Sequence, residues 1–333
     1  MTTALITGGL GLIGAKIARI LLDEGKVDRV VLLDHYGRYI TSTRDDFVDY
    51  RALRLKGIES SAVIERGEAK HFGVISALVR RYKPDYIFHL AALPLAKLQN
   101  LNSEEALEGS VISTSYLLES IGQTKMEGGY SPKRFVYASS SMVYGDFQYV
   151  PADEKHPTNP KEIYGTAKLA GEEIARGLSR FFGIDCSIIR PSAVYGPTDM
   201  NRRVSQIFLE KAMLGQKITV DGADEALDFT YVDDIARGFV LAATEPAAVG
   251  ETFNITFGRA VTLLEYVLEL KKYFPNLEYQ VGKRDDFRPK RGTLAVDKAR
   301  KLLGYEPQYD LQRGIKEYVD FVREHHPLFP KSI

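Results

Sequence analysis

The sequence predicts an α/β protein in which a doubly wound parallel sheet is followed by a smaller mixed α/β lobe. Through the first two-thirds of the chain, short apolar runs alternate with amphipathic helical patterns, as in repeated strand–helix–strand units. Several of these runs are apolar without alternation, which is typical of parallel strands that helices cover on both faces. After about Arg190, proline and glycine interrupt the chain more often and the predicted elements become shorter.

The predicted elements follow in order along the chain. Strands are expected at residues 4–7, 29–33, 62–64, 86–90, 135–138 and 187–189. Helices are expected at residues 13–22, 74–82, 104–121 and 163–182, with a terminal helix near residues 311–323. Residues 1–190 are therefore expected to form the first domain and residues 191–333 the smaller lobe. A strand and a helix within 229–243 predict that segment 228–250 returns to the first domain.

Composition excludes several classes of protein. The chain has 333 residues, of which 44% are hydrophobic, so it is too apolar to be disordered. Its 44 basic and 44 acidic residues balance, which leaves no net attraction to nucleic acid or to an anionic membrane. No apolar run reaches the ~18 residues of a membrane span, and the N-terminus lacks the basic start of a targeting segment. The single cysteine, Cys186, excludes a disulfide framework and a multi-cysteine metal site. We expect a cytoplasmic protein without a metal.

Three glycines follow the first predicted strand at the spacing G-x-x-G-x-x-G: Gly8, Gly11 and Gly14. Glycines at this spacing allow a tight turn, close approach of a diphosphate to the backbone, and close packing of a helix on the sheet. The helix that begins near Leu12 and Ile13 directs its first N–H groups and the positive end of its dipole at that diphosphate. Because the motif lies between a first strand and a first helix, it predicts a Rossmann-type dinucleotide-binding sheet.

Asp34 ends the second predicted strand, 20 residues after Gly14. A carboxylate at this position accepts hydrogen bonds from the hydroxyls of an adenosine ribose and repels a 2′-phosphate. The alternative is a solvated aspartate in a turn. Together with the glycine motif, Asp34 favours NAD over NADP as the cofactor.

Tyr164 and Lys168 lie four residues apart, and therefore on one face of a predicted helix. A nearby ammonium group and a nicotinium charge favour the phenolate form of a tyrosine, which then removes a proton from a substrate hydroxyl while hydride leaves the same carbon. The spacing alone carries little weight, because Tyr279 and Lys283 repeat it. Tyr164 is distinguished by its place at the start of a long helix that follows a cluster of serines.

That cluster, residues 139–145, follows a predicted buried strand and begins with three serines, Ser139, Ser140 and Ser141. Ligands of α/β sheets bind at the carboxyl ends of the strands. A serine hydroxyl there can donate a hydrogen bond to a developing ketone oxygen. The alternative is that these serines cap a turn.

Taken together, these motifs resemble the extended short-chain dehydrogenase/reductase superfamily, in its nucleotide-sugar branch. The segments that carry the resemblance, from residue 2 to about residue 310, are 7–14, Asp34, 89–92, 139–145, 164–168, 190–191 with 194–197, and 228–234. Among members of this branch, the chain is most similar to NAD-dependent 4-epimerases of UDP-hexoses or UDP-hexuronic acids.

The resemblance implies an epimerase that oxidises C4 of a nucleotide-activated sugar to a 4-ketone and returns the hydride to its other face. Tyr164 would remove the proton of the 4-hydroxyl. Lys168 would hold the nicotinamide ribose and lower the pKa of the tyrosine, and Ser140 would orient the sugar oxygen.

The resemblance also implies which residues bind the ligands and the partner subunit. The expected NAD contacts are Gly8, Gly11, Leu12, Ile13, Gly14, Asp34, Glu68, Ala69, Leu90, Ala91, Ala92, Tyr164, Lys168 and Pro191. The expected nucleotide-sugar contacts are Ser140, Ser141, Tyr164, Ala193, Arg202, Arg203 and Arg288. Alternatively, Arg288 belongs to a solvated basic loop, and Arg202 and Arg203 are exposed residues at a helix start. A homodimer through helices 104–121 and 163–182 is expected, although packing on the sheet requires the same apolar stripes.

The chain departs from the family pattern at several positions. It has Ala193 and Ser110 where asparagine is common, Leu227 where arginine is common, and Glu68 where aspartate is common. These departures leave the sugar and the base open. The alternatives are another nucleotide-sugar oxidoreductase (a reductase, dehydratase or 3,5-epimerase) and a non-catalytic NAD-sensing protein. Ser141 and Met142 argue against a dehydratase, which carries two acidic residues there.

Overall fold

The computed structural model describes residues 1–36, 48–92, 103–201, 203–327 and 329. The strands are β1 (Thr3–Thr7), β2 (Arg29–Asp34), β3 (Ala62–Arg66), β4 (Tyr86–His89), β5 (Arg134–Ala138), β6 (Cys186–Pro191), β7 (Val194–Tyr195), β8 (Ile218–Asp221), β9 (Ala226–Leu227), β10 (Thr230–Tyr231), β11 (Thr252–Ile255), β12 (Val261–Thr262) and β13 (Tyr279–Gly282). The helices are α1 (Leu12–Asp23), α2 (Arg51–Leu55), α3 (Phe72–Tyr82), α4 (Ser103–Leu107), α5 (Ser113–Gly128), α6 (Ile163–Phe182), α7 (Val204–Met213), α8 (Val232–Thr244), α9 (Leu263–Lys271), α10 (Asp297–Leu303) and α11 (Leu311–His325).

Seven parallel strands form the central sheet, in the order β11-β6-β5-β4-β1-β2-β3. The chain winds outward from β1 to β3 on one side and from β4 to β6 on the other. The carboxyl ends of β1 and β4 therefore lie at a topological switch point, which is where α/β sheets bind ligands. This arrangement confirms the predicted doubly wound α/β fold.

Helices cover both faces of the sheet, and successive strand residues face opposite layers. Ile6 and Val136 belong to the core shared with α1 and α8, whereas Leu5 and Phe135 belong to the core shared with α3, α5 and α6. All four side chains are fully buried. Burial on both faces explains why these strands show no polar alternation. Among the described residues, no helix is long and apolar enough to cross a membrane.

The helix expected at residues 104–121 is divided, because a π-helical segment, Glu108–Ile112, separates α4 from α5. The hydroxyls of Ser113, Thr114 and Ser115 each donate to a carbonyl four residues earlier, at 2.8, 2.6 and 2.9 Å. Such side-chain hydrogen bonds compete with the backbone ladder and distort helices. The three accepting carbonyls, at residues 109–111, all lie within the π-helical segment.

The chain after β6 forms three small two-stranded sheets, β7–β10, β8–β13 and β9–β12. It also supplies β11, which sequence analysis missed, to the edge of the central sheet beside β6. α8 packs against α1, β5 and β6.

Asp228 connects three segments of this second part of the chain. Its fully buried carboxylate accepts hydrogen bonds from the backbone N–H groups of Gly258 (3.2 Å) and Leu294 (3.1 Å) and from the Thr256 hydroxyl (3.1 Å). Burial raises the pKa of Asp228 to about 6 despite these donors.

We expect Asp228→Ala to lower the free energy of unfolding by at least about 2 kcal/mol, because it leaves buried donors without an acceptor. Asp224→Ala is the matched control, since Asp224 is exposed in the same part of the chain and should change stability by less than about 0.5 kcal/mol. Urea unfolding monitored by circular dichroism measures both. Equal stability of the two variants would contradict a linking role for Asp228.

Candidate active site

The glycine turn joins β1 to α1 with close backbone contacts. Gly8 has a φ of +69°, and its N–H donates to Leu33 O at 2.8 Å. A Cβ on Gly14 would lie 2.5 Å from Gly8 O, so a side chain there would push the helix away from the turn. Among the described residues, no side chain caps the start of α1. The first turn of α1 is thus available to an anion, as a diphosphate site requires.

Asp34 lies beside this turn at the end of β2. Its carboxylate accepts the backbone N–H groups of Leu10 at 3.1 Å and Tyr36 at 2.9 Å, and its side chain is 11% exposed. Of the predicted cofactor residues, six line one cavity of about 210 Å³: Gly8, Asp34, Glu68, Ala69, Ala91 and Ala92. Glu68 is ion-paired there with Lys70 at 3.2 Å.

A second cavity, of about 520 Å³, adjoins the first at Ala92. The predicted residues that line it are Ile13, Leu90, Ala92, Ser140, Ser141, Tyr164, Lys168, Pro191, Ala193, Arg203 and Arg288. The structure therefore brings the serine cluster, the tyrosine–lysine pair and residues of the second lobe to one place. Tyr279 and Lys283, which repeat the tyrosine–lysine spacing, are not among the lining residues.

Tyr164 lies in the first turn of α6, and its phenol lies near the Ser140 hydroxyl. Burial raises the pKa of Tyr164, while the nearby Arg203 guanidinium and the Ser140 hydroxyl act to lower it. The family resemblance implies that Lys168 lowers this pKa. In the structure, Arg203 and Ser140 do so.

The Lys168 ammonium group is buried and anchored to the end of β5. Its Nζ donates to Ala138 O at 2.7 Å and lies 5.9 Å from the centre of the Tyr164 ring. Burial lowers the pKa of Lys168 to about 7, against the effect of the Glu172 carboxylate, which raises it. In the protein alone, Lys168 is therefore only partly charged at neutral pH.

Two features hold the start of α6 against the serine cluster. The Glu162 side chain caps the helix by accepting the N–H groups of Tyr164 and Gly165, both at 2.7 Å. A Cβ at Gly165 would lie 2.6 Å from Met142 O, so only glycine allows the helix this close to the 3₁₀ turn Ser141–Tyr144. The position of the phenol thus depends on a cap and on a close backbone approach.

The cations of the second lobe differ in their surroundings. Arg288 lines the large cavity, but its side chain is 51% exposed and paired with Asp285 at 3.1 Å. Arg291, which was not among the predicted contacts, also lines it, and its buried Nε has no hydrogen-bond partner in the described chain. Burial lowers the pKa of Arg291 to about 10. Arg203 donates to Val194 O at 3.2 Å.

The remaining predicted residues have other surroundings. The Leu12 side chain is buried in the core, so only its backbone is at the turn. Arg202 lies outside the described residues. Ala193, expected to touch the sugar, has a φ of +36°, a left-handed conformation that asparagine tolerates better than alanine.

Sequence analysis also missed Glu172, which is fully buried one helical turn after Lys168. Its signal was the four-residue spacing of 164, 168 and 172, which places all three residues on one helix face.

Comparison with known proteins is consistent with this geometry. A model of the NAD dependent epimerase/dehydratase family matches residues 4–256. The chain is 31% identical over 329 residues to the UDP-glucose 4-epimerase of Mycolicibacterium smegmatis, covering 96% of this chain and 98% of the relative. It is 28% identical over 347 residues to the UDP-glucuronate 4-epimerase of Thermodesulfobacterium geofontis, covering 99% and 98% of the two chains.

A similar fold is found in the UDP-glucuronic acid 4-epimerase of Bacillus cereus, crystallised with UDP-glucuronic acid and NAD. The TM-score is 0.86 at 24% identity, covering 97% of this chain and 99% of that one. The family match spans most of the chain, and the first relative named above is similar over almost its whole length. This chain belongs to the NAD-dependent epimerase/dehydratase family.

Proposed function

We propose that the protein is an NAD-dependent epimerase acting at C4 of a UDP-activated hexose or hexuronic acid. The observation that carries this proposal is the meeting of Ser140, Tyr164 and Lys168 in one cavity that adjoins the glycine turn. Relatives similar over nearly the whole chain bear the names UDP-glucose and UDP-glucuronate 4-epimerase, which supports the same reaction here.

The residues on the sheet edge fit NAD. The uncapped first turn of α1 and the close approach of Gly14 to Gly8 suit a diphosphate, and the Asp34 carboxylate suits a ribose with a free 2′-hydroxyl. Bound there, NAD would supply a reversible hydride acceptor for the sugar carbon.

The chain's own residues transfer the proton and orient the sugar. Tyr164, as phenolate, removes the proton of the 4-hydroxyl and later gives it back, so no proton is lost overall. Ser140, whose hydroxyl lies near the phenol, donates to the sugar oxygen as that oxygen becomes a carbonyl oxygen. The guanidinium of Arg203 favours the phenolate.

The second lobe suits the nucleotide part of the substrate. Arg288 and Arg291 line the cavity together with Lys211. One guanidinium group can donate two parallel hydrogen bonds to the oxygens of a phosphate. The cavity volume of about 520 Å³ lies in the range of small-molecule sites. Ser141 and Met142, which follow Ser140, offer no acid–base group for the C5 proton removal of a dehydratase, so epimerisation is favoured.

Three further features belong to this proposal. Residues 1–190 with segment 228–250 form the cofactor domain and residues 191–333 the substrate lobe, as the packing of α8 against α1 and β5 supports. The protein is a homodimer through α5 and α6, whose exposed Met126 and Phe181 are 70% and 79% accessible. It acts in the cytoplasm, consistent with its buried free thiol, Cys186. Light scattering tests the dimer.

The reaction is tested by incubating the protein and NAD with UDP-glucose or UDP-glucuronate in deuterated water. We expect the 4-epimer of one of them, without deuterium on carbon, because the hydride returns to the carbon that it left. Mass spectrometry and NMR of the product measure both points. Absence of product from both sugars would contradict the proposed function, and carbon-bound deuterium would contradict the hydride mechanism.

Tyr164→Phe should lower kcat by about 100- to 10,000-fold, because it removes the group that transfers the proton. Affinity for NAD, measured by fluorescence titration, should change little. Tyr279→Phe is the matched control, since it makes the same change in the second tyrosine–lysine pair, outside the cavity. Wild-type turnover by Tyr164→Phe would exclude the phenol as the acid–base group.

Asp34→Asn should weaken the preference for NAD over NADP by roughly 10- to 100-fold, because it removes the charge while keeping an acceptor oxygen. Hydrogen bonds to a charged group contribute about 1.5–3 kcal/mol, which corresponds to this range. Calorimetric titration with both dinucleotides measures it, with Asp23→Asn at the end of α1 as control. An unchanged ratio of dissociation constants would assign Asp34 a purely structural role beside Leu10 and Tyr36.

The buried charge of Lys168 predicts a pH dependence of stability in the protein without cofactor. The pKa of Lys168 is about 7 in the folded protein, below its ordinary value of 10.5. Between these values the unfolded chain binds more protons, so this group makes the free energy of unfolding rise with pH from about 7 to 10.5. The measurement is urea unfolding of wild type against Lys168→Met at several pH values. A constant difference across this window would mean that Lys168 keeps its ordinary pKa.

A further inference from the structure

A buried ion pair lies behind the proposed catalytic residues. Glu172, on α6, and Arg190, near the end of β6, form two parallel hydrogen bonds of 2.8 and 2.7 Å. Glu172 is 0% exposed and Arg190 4%, and neither lines the large cavity. Arg176 adds a third contact to the carboxylate, at 3.0 Å. The pair therefore acts on the site only through other residues.

The Glu172 carboxylate also holds the end of β5. The Ser139 hydroxyl donates to its Oε1 at 2.5 Å. Ser139 lies between Ala138, whose carbonyl accepts a hydrogen bond from the Lys168 ammonium group at 2.7 Å, and Ser140, whose hydroxyl lies near the Tyr164 phenol. Three side chains spaced one turn apart on α6 thus contact three consecutive residues at the end of β5.

Arg190 contacts the same segment from the other side. Its guanidinium lies 4.8 Å from the centre of the Tyr144 ring, which belongs to the 3₁₀ turn that follows Ser140. The Tyr144 hydroxyl in turn donates to Asn254 Oδ1, on β11, at 2.7 Å. The ion pair therefore contacts Ser139 and Tyr144, which are the two ends of the segment that contains Ser140.

We propose that Glu172 and Arg190 are positioning residues, which hold Ser140 and the Lys168 anchor at Ala138 in register with Tyr164. This inference rests on the proposed function. A displacement of about 1 Å at a catalytic group can cost roughly 100-fold in rate, so loss of this contact acts on turnover rather than on substrate binding.

The test compares Glu172→Gln with Glu173→Gln, which makes the same change at the next residue of α6, where the side chain is 68% exposed. With NAD and whichever of UDP-glucose and UDP-glucuronate the wild type converts, Glu172→Gln should lower kcat by about 100-fold at a nearly unchanged KM. Glu173→Gln should match wild type. The dissociation constant for NAD and the melting temperature are measured for each variant.

A double variant that removes both charges distinguishes a positioning role from a purely stabilising one. Buried ion pairs can be replaced by apolar side chains of similar size without loss of stability, so Glu172→Met combined with Arg190→Met should recover the wild-type melting temperature. Its kcat should stay low, because the Ser139 hydroxyl no longer has its acceptor.

The outcomes are distinct. Recovery of both kcat and melting temperature in the double variant would reduce the pair to a structural role and overturn the inference. A wild-type kcat in Glu172→Gln would overturn it as well, while leaving the proposed function intact. If neither wild type nor Glu173→Gln converts either sugar, the proposed function fails and this inference fails with it.

Discussion

The close packing of α6 against the carboxyl end of β5 is the constraint on which the site depends. Gly165 allows the helix to approach Met142 O, and the Lys168 ammonium group reaches across to Ala138 O at 2.7 Å. A side chain at position 165 would displace α6, which would separate the Tyr164 phenol from Ser140 and the Lys168 ammonium group from Ala138 O. The geometry of the proton-transferring groups is therefore a property of one helix–strand contact rather than of the cavity walls.

This contact places two titratable groups where burial opposes their active charge states. Burial raises the pKa of Tyr164 and lowers the pKa of Lys168 to about 7, so the protein alone favours a neutral phenol beside a partly neutral amine. The Glu172 carboxylate opposes this by raising the pKa of Lys168, and the Arg203 guanidinium opposes it by lowering the pKa of Tyr164. Because desolvation disfavours any isolated charge, the active pair needs further compensation, and a positively charged nicotinamide ring would supply it for the phenolate.

The sequence predicted the elements whose patterns are long and uniform. β1 to β6 and the helices α1, α3 and α6 lie within a few residues of their predicted ranges, because burial on both faces leaves an uninterrupted apolar run in a strand and burial on one face leaves a helical period in a helix. β11 was missed, since a four-residue strand carrying the buried polar Asn254 resembles a turn. The small sheets after β6 have strands of two to four residues, which are too short to show any period.

Candidate site residues could be predicted where their chemistry goes with a short sequence motif. Ser140, Tyr164 and Lys168 occur in a motif, and the structure brings them into one cavity. The role of Arg291 was not predictable, because an arginine in a basic loop looks solvated until tertiary packing buries its Nε. The effect of Arg203 on Tyr164 likewise depends on a contact between residues 39 positions apart in sequence.

Under the proposed function, the residues expected to contact the sugar lie in a different part of the chain from those expected to transfer the proton. Ser140, Tyr164 and Lys168 are held by β5 and α6, whereas Ala193 and Arg203 come from segments that follow β6. Substitution in those segments can reshape the cavity without moving the phenol, which fits the similarity of this chain to relatives named for either a hexose or a hexuronic acid. Arg291, whose buried Nε has no hydrogen-bond partner among the described residues, suits an anionic ligand at the second lobe. Under the proposed function, the diphosphate that UDP-hexoses and UDP-hexuronic acids share would be that ligand, and the segments near the tyrosine would distinguish the sugars.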